Sequence, residues 1–380
     1  MVHWKKQQIE RCGARVRRLA LGFLLGVSAD LFLGTVALAW DTPIPGARYQ
    51  SVRALSMGNA YIEMADDAAT GLFYNPAGIA KIRGFQFEPF NLGVQVDPGF
   101  VSSASTESIQ FPTFSSYKSR IDRTPGVRHG ASMSVAPAIA FRGFAIGVLY
   151  QQSASAILED NATYSIRGHR ELVPAVGFGL RLASGVIRIG YSGQYVSKTE
   201  GEDSGVDPST SRNWHDGFAS GAGLSHNAAV AFTLPYSFAP SFNFVARNIG
   251  GLSFTQSPLM ALAASSVGSP STVPGTYDAA YGMHFKLTNG GVIHVAAEYR
   301  DILGASGMPL LTKIGLGVEA DINGRFQFRG GVNTGYISYG VGYRTGKQEF
   351  HLGYFIDERG AGFWSNGDPR WMLQWEGRLF

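Results

Sequence analysis

The chain has 380 residues, with 32 Lys plus Arg against 28 Asp plus Glu and a formal net charge of +4. Its one cysteine, Cys12, lies near the start. This excludes an intramolecular disulfide framework, a thiolate metal site and, once a leader is removed, a cysteine nucleophile or a lipoprotein anchor. The charge excess is confined to the first 39 residues, which hold six Lys/Arg and two Asp/Glu; the remainder carries 26 of each sign. A nucleic-acid partner therefore has no electrostatic basis.

Residues 1–39 read as an export signal. Lys5, Lys6, Arg11, Arg15, Arg17 and Arg18 form a basic start, Leu19–Leu38 is mainly apolar, and Ala37-Leu38-Ala39 is a small-residue cleavage site. Cleavage after Ala29 is the second option. A spanning helix is the rival reading, but Asp30 interrupts the apolar run, and no later segment approaches the ~18 apolar residues such a helix needs.

Residues 40–84 form the next unit. Its body, 46–84, is rich in Gly and Ala and lacks strand alternation. Asp66 and Asp67 precede Ala68–Tyr74, which predicts a short helix with acidic residues at its positive end. Asn75, biased away from the helical region by Pro76, caps a second turn begun by that proline. Two small turns bury little by themselves, so they must pack inside something larger.

The rest, 85–380, breaks into alternating segments. In 277–288, Tyr277, Ala279, Tyr281, Met283 and Phe285 share one face and Asp278, His284 and Lys286 the other. The same holds for Ile293, Val295 and Ala297 against His294, Glu298 and Arg300; for Leu310–Ile322 with Lys313, Glu319 and Asp321 opposed; and for Phe350, Leu352 and Tyr354 against Glu349, His351 and Asp357. Period-two alternation this sustained is strand. Fourteen strands fit: 85–96, 131–142, 143–154, 170–182, 185–197, 225–234, 236–248, 277–288, 291–301, 310–322, 324–333, 335–344, 348–357 and 370–380. Connections alternate short and long, except for a tight outer turn near Thr334. The lengths suit tilted membrane crossings of ~9–11 residues, and aromatics recur near segment ends. The expectation is an all-β fold: a transmembrane antiparallel barrel of about 14 strands, apolar faces toward lipid and a polar bore.

The stretch Met57–Ala80, MGNAYIEMADDAATGLFYNPAGIA, resembles the N-terminal plug of FadL-type outer-membrane proteins, transporters of long-chain fatty acids and other hydrophobic compounds. The matching positions are Gly58, Ala60, Ala65, Asp66, Asp67, Asn75, Pro76, Ala77, Gly78 and Ala80. The resemblance implies fourteen strands around an internal plug, an apolar catch site in the outer loops, and lateral exit at a kink in the third strand. That strand holds Gly143 and Gly147, glycines that would mark a bulge. Charge-free loop 249–276 supplies Leu252, Phe254, Leu259, Met260 and Leu262 as candidate substrate contacts, with Trp214 and Phe218 as lip residues of loop 198–224. Packing of the 249–276 residues over the barrel mouth is the equally weighted alternative. Asp66 and Asp67 are expected to pair with arginines of the bore.

No G-x-S-x-G elbow and no HxH or HExxH spacing occurs, so neither an enzyme nor a metal or cofactor is expected. The expected function is passive uptake of hydrophobic small molecules (long-chain fatty acids or aromatic hydrocarbons) across a Gram-negative outer membrane by a monomer. Its expected partners are membrane lipid and, through terminal Phe380, the barrel assembly machinery. A related barrel acting as a docking or assembly subunit is the alternative.

Overall fold

The computed structural model describes residues 48–104, 121–158, 163–205, 219–259, 268–288, 290–359 and 363–378. Fourteen antiparallel strands close on themselves. β1 comprises Gln86–Glu88 and Phe90–Val96, and β2 comprises His129–Val135 and Ala138–Phe141. Then follow β3 (Phe144–Leu158), β4 (Tyr164–Leu182), β5 (Ile187–Gly205), β6 (Ala219–Thr233) and β7 (Ser241–Arg247). β8 (Thr276–Lys286), β9 (Val292–Tyr299), β10 (Ile314–Ile322), β11 (Phe326–Asn333), β12 (Tyr336–Thr345), β13 (Gln348–Glu358) and β14 (Gly367–Gly377) complete the wall. Each strand pairs with its neighbour in sequence, and β14 pairs with β1 from Trp371↔Val96 to Gly377↔Phe90. Closure leaves no sheet edge, as a lipid environment demands.

Burial shows which face points where. Along β11, Phe326 and Phe328 are each 50% exposed, whereas Gln327 and Arg329 at the alternate positions are buried. Leu316 and Val318 likewise lie out with Glu319 in, and Phe350 and Leu352 out with Glu349 and His351 in. The apolar faces thus form the outer surface and the charges line the interior, the reverse of a soluble sandwich. Aromatic rings collect around the short-turn end of the wall: Phe85, Phe141, Phe144 and Phe178 form one chain of contacts, Tyr236, Phe238 and Phe285 another, and Phe90, Trp375 and Phe350 a stacked third. Such girdles mark a membrane–water boundary.

Several boundaries differ from expectation; β6 begins at Ala219 rather than 225 and β7 at Ser241 rather than 236. β4 and β5 each run 19 residues, well past the ~9–11 that cross a bilayer, so the wall projects beyond the membrane on the long-loop side. Leu310–Lys313 is a 3-10 turn after Pro309 rather than the start of a strand. Asp301 ahead of it has a φ of 46° and accepts from the Ala305 and Ser306 amides, which ends the β9 hairpin there. The tight outer turn near Thr334 is real: Thr334 and Gly335 both take positive φ, 53° and 89°.

The wall's irregularity also lies elsewhere than expected. Gly143 sits in the turn between β2 and β3, with φ +77°. Gly147 pairs on both sides, with Ala138 and Ala175. Strand β3 is therefore continuous. The breaks fall at Pro89 in β1 and Pro137 in β2, neither of which has an N–H to give the ladder. Glu88 pairs with Ala138 and Leu92 with Val135, so residues 89–91 face only 136–137, a bulge between the first two strands.

The outward orientation predicts that Phe328→Arg, near the middle of the apolar band, destabilises the barrel in lipid by about 2–4 kcal/mol in a urea titration. An unchanged midpoint would place Phe328 away from lipid.

Candidate functional site

Residues 48–82 occupy the interior. They form α1 (Val52–Ser56), α2 (Ala68–Phe73) and a 3-10 turn, Pro76–Lys81. Ser51 caps α1 by accepting from the Ala54 amide. Asp67 caps α2, accepting from Thr70 N at 2.7 Å while Thr70 answers in a capping box. Asn75 spends its whole amide: Oδ1 accepts from Ala77 N at 3.0 Å, and Nδ2 donates to Ile62 O at 2.7 Å and to Asn243 Oδ1 of the wall at 3.2 Å. Pro76 supplies the first position of the turn. The Asn-Pro pair thus fixes the angle between the two turns and ties both to β7.

So irregular a segment leaves most backbone groups without partners of their own, and wall side chains answer them. Glu298 Oε2 accepts from the Tyr61 and Ile62 amides at 3.0 and 3.2 Å. Arg300 donates to Asn59 O at 2.9 Å and to Glu298 Oε1 at 2.9 Å. Arg247 donates to Tyr74 O at 2.7 Å and to Asp278 at 2.6 Å. Gln374 accepts from Val52 N at 2.7 Å, Gln194 donates to Leu72 O at 3.0 Å, and Ser338 accepts from Gly58 N at 2.9 Å.

The central charge triad joins segment to wall. Glu319 accepts from Arg53 at 2.8 and 2.9 Å and from Arg329 at 2.6 Å, all three nearly buried. On the far side Arg48 donates to Glu171 at 2.9 Å. Of the two aspartates expected to meet arginines of the bore, Asp66 is half exposed and pairs with Arg53 of its own segment at 3.4 Å, while Asp67 lies 4.0 Å from Arg378. Glu63 sits against Lys81 (3.8 Å) and His284 (3.2 Å). Burial pushes its carboxyl up, but Lys81 and His284 outweigh that and hold it down at about 2.

Glycine sets how closely the two surfaces meet. Gly58 has a φ of +61°, and a Cβ there would lie 2.5 Å from Val332 O and 2.6 Å from Leu316 O. Inward-facing Gly315, Gly317 and Gly331 of β10 and β11 receive the Met57–Gly58 backbone in the same way, and Gly340 and Gly353 receive Ser56. Gly78 is needed for a second close approach, with a Cβ meeting Ala65 O at 2.7 Å. The segment and the β10–β13 wall are thus in backbone contact. By contrast α2 rests on side chains. Leu72, Phe73, Ala68 and Ala69 form one apolar cluster with Ala136, Ala138, Ala140, Ala145 and Leu149 of β2 and β3.

That cluster extends upward. Leu252 and Phe254 are buried in it, together with Val173 and Val196. Leu259 is 59% exposed at the end of the same loop. Met260, Leu262, Trp214 and Phe218 lie outside the described residues, as does Phe380. The structure therefore brings Leu252 and Phe254 down against the inner segment and leaves Leu259 apart from them. Glu319 and Arg329 are legible in the sequence as inward charges at alternate positions of adjacent strands; the alanine face of β2 and Arg53 as their third partner are not. His284 and His294 face each other across β8 and β9 through their Nδ1 atoms.

No protein-family model matches the chain, and no curated protein does. Among solved structures it is similar to the CymD monoaromatic hydrocarbon channel at 10% identity, covering 88% of this chain and 98% of that one, with a TM-score of 0.47. The deltaS2 mutant of the TodX monoaromatic hydrocarbon channel aligns at 10% identity over 90% of this chain and 100% of that one, TM-score 0.49. The transport unit of the autotransporter AIDA-I from Escherichia coli aligns at 9% identity over 88% and 100%, TM-score 0.39. At such scores these likenesses add nothing to the strand pairing already described. Closed pairing, an apolar outer face, aromatic girdles and a charged interior define the molecule as a transmembrane β-barrel of the outer-membrane type, its bore occupied by its own N-terminal residues.

Two outcomes follow. Glu319→Ala leaves Arg329 buried without a carboxylate and Arg53 with only the half-exposed Asp66, and should lower stability by about 3–5 kcal/mol; an effect under about 1 kcal/mol in urea unfolding would show that the triad is dispensable. Glu63, whose carboxyl is lowered from its ordinary 4.5 to about 2, contributes stability that is complete above pH 4.5 and lost as the pH falls toward 2. The gap in unfolding midpoint between wild type and Glu63→Gln should therefore close over that range, by roughly 3 kcal/mol in free energy.

Proposed function

We propose that this barrel carries hydrophobic small molecules passively across the outer membrane of a Gram-negative bacterium, with residues 48–84 as its plug. The short turns face the periplasm and the long loops face outward, as is usual for such barrels. One observation carries the reading. A continuous apolar cluster links Leu252 and Phe254 in loop 249–276, the latter beneath Lys198, with Leu72 and Phe73 of α2 and with Ala136, Ala138 and Ala140 beside the Pro137 break. The likeness of Met57–Ala80 to FadL-type plugs supports the same reading.

The cluster gives an apolar solute a stepwise route out of water, each buried CH₂ contributing about 0.8 kcal/mol. The plug divides into two parts along it. Met57 and Gly58 meet the wall backbone through glycine contacts and are held by the Arg53–Glu319–Arg329 triad, so this part stays fixed. Helix α2 meets the wall through alanine and leucine side chains and is the part that yields. Release into the membrane occurs where β1 and β2 are broken, at Pro89 and Pro137. The mechanism has no covalent step and needs neither cofactor nor metal. The barrel acts as a monomer, with membrane lipid around it.

Ala138→Phe, across from Glu88 on the neighbouring strand, fills the foot of the cluster. It should cut uptake of radiolabelled toluene or oleate by cells at least tenfold while the protein still migrates as a folded barrel on unheated gels. Mass spectrometry of molecules retained by the detergent-purified wild type should recover a fatty acid or a hydrocarbon, and which of the two names the cargo. Unchanged uptake in the variant, or a purified protein holding neither class with no uptake defect in a deletion strain, would contradict the reading.

A further inference from the structure

Beneath α2 four carboxylates converge on one guanidinium. Arg378, just past β14, lies 3.3 Å from Glu349 of β13, 3.4 Å from Glu88 of β1, 3.5 Å from Glu376 of β14 and 4.0 Å from Asp67, the cap of α2. None of the four carboxylate side chains is more than 12% exposed. A second cation, Arg344 of β12, reaches Glu349 at 2.9 Å but is shared with Asp321 at 3.7 Å. The other nearby arginines, Arg53 and Arg329, are committed to Glu319. Asp66 adds a further negative charge beside Asp67, and Tyr49 faces the same group from the inner segment. Neither oxygen of Glu88 completes a hydrogen bond of good geometry.

His351 Nε2 also faces Glu349 at 3.7 Å and Glu376 at 3.8 Å. Among the described residues, this leaves more buried carboxylates than arginines to pair with them. Something must make up the difference, and a proton fits better than a metal ion. Glu349, His351 and Glu376 do offer ligand atoms within 4.8 Å of one another. However, Arg329 lies 3.3 Å from His351 Nδ1, and arginine only donates, so the ring proton sits on Nε2 and that atom has no lone pair to give. Arg378 already bridges the two glutamates.

We propose that Asp67, Glu88 and Glu376, beside Glu349, share a proton around Arg378 as a latch between α2 and the broken part of the wall. Holding the proton, the cluster keeps the N-terminus of α2 against β1 and β14. Losing it, like charges a few ångströms apart push Asp67 and its helix away from Glu88 and Glu376, next to Pro89. Asp67, outside the strands, shows the effect directly: burial pushes its carboxyl up against the opposing pull of Arg378, and Asp66 pushes it further. The docked state binds the proton more tightly than a state in which these carboxyls are hydrated. Docking is therefore complete at low pH and weakens as the pH rises through the range in which Asp67 and its neighbours give up the shared proton. The latch takes from the proposed function only the premise that α2 is the yielding part and does not depend on the cargo.

Hydrogen exchange of the full chain in detergent micelles, followed on peptides covering 66–75 and corrected for intrinsic rates, tests it. Opening of α2 should be at least about tenfold greater at pH ~9 than at pH ~6, the equivalent of one unit of differential proton affinity. Peptides from β9 to β11 should hardly change. Glu376→Gln and, separately, Glu88→Gln should each bring the pH ratio within about twofold while folded gel migration persists. Equal protection of wild type at both pH values, a ratio that survives in both variants, or one that vanishes on adding EDTA would each overturn the proposal, the last by assigning the balance to a metal ion. Loss of transport in cells with the exchange pattern intact would count against the cargo reading alone.

Discussion

An irregular segment inside a barrel has backbone N–H and C=O groups that neither helix nor ladder satisfies, and every feature of this interior follows from answering them. Glu298, Arg300, Arg247, Gln374 and Gln194 each reach from the wall to a main-chain atom of the inner segment. Their charges are then balanced within the wall or by the segment itself, as Glu319 balances Arg53 and Arg329. Buried ion pairs of this kind contribute little net stability, but removing one partner is costly. They therefore act chiefly to hold one arrangement of the segment against others.

The second constraint is distance. Where Met57 and Gly58 lie against β10 and β11, the wall presents Gly315, Gly317 and Gly331, and any side chain there would enter backbone. Where α2 lies against β2 and β3, the wall presents alanines, which leave a side-chain layer between helix and sheet. The barrel thus grips Met57–Gly58 and, through Gly179 and Gly190, the Pro76–Ala80 turn by the main chain, and α2 between them by a thin apolar layer. That asymmetry coincides with the Pro89 and Pro137 breaks. Fixed and yielding parts, and the weak place in the wall, lie in register.

Much of this was legible in the residues. Fourteen alternating segments, their outward faces and both helix caps could be read because period-two patterning and Asp or Asn caps are local signals. The 3-10 turn at Leu310–Lys313 was not, because its residues continue the alternation of β10; the backbone conformation of Asp301, which pairing alone reveals, ends the strand first. The wall's break was sought at Gly143 and Gly147, since glycine permits a bulge. The structure puts it at Pro89 and Pro137, which withhold an N–H from the ladder on facing strands, whereas Pro174 and Pro369 sit in unbroken strands. Partners such as Glu319 for Arg53, 266 residues apart, have no sequence signal at all. The fate of Leu252 and Phe254 was equally hidden, since a charge-free loop reads the same whether it folds inward or lines a groove.

Planar-bilayer recording tests the account most directly, because a filled bore should not conduct. The intact chain should show no steady ion current, and a form lacking residues 46–84, refolded as a barrel, should open a stable aqueous pore. A steady current through the intact chain, or no gain in conductance on removing the segment, would contradict the claim that these residues fill the bore.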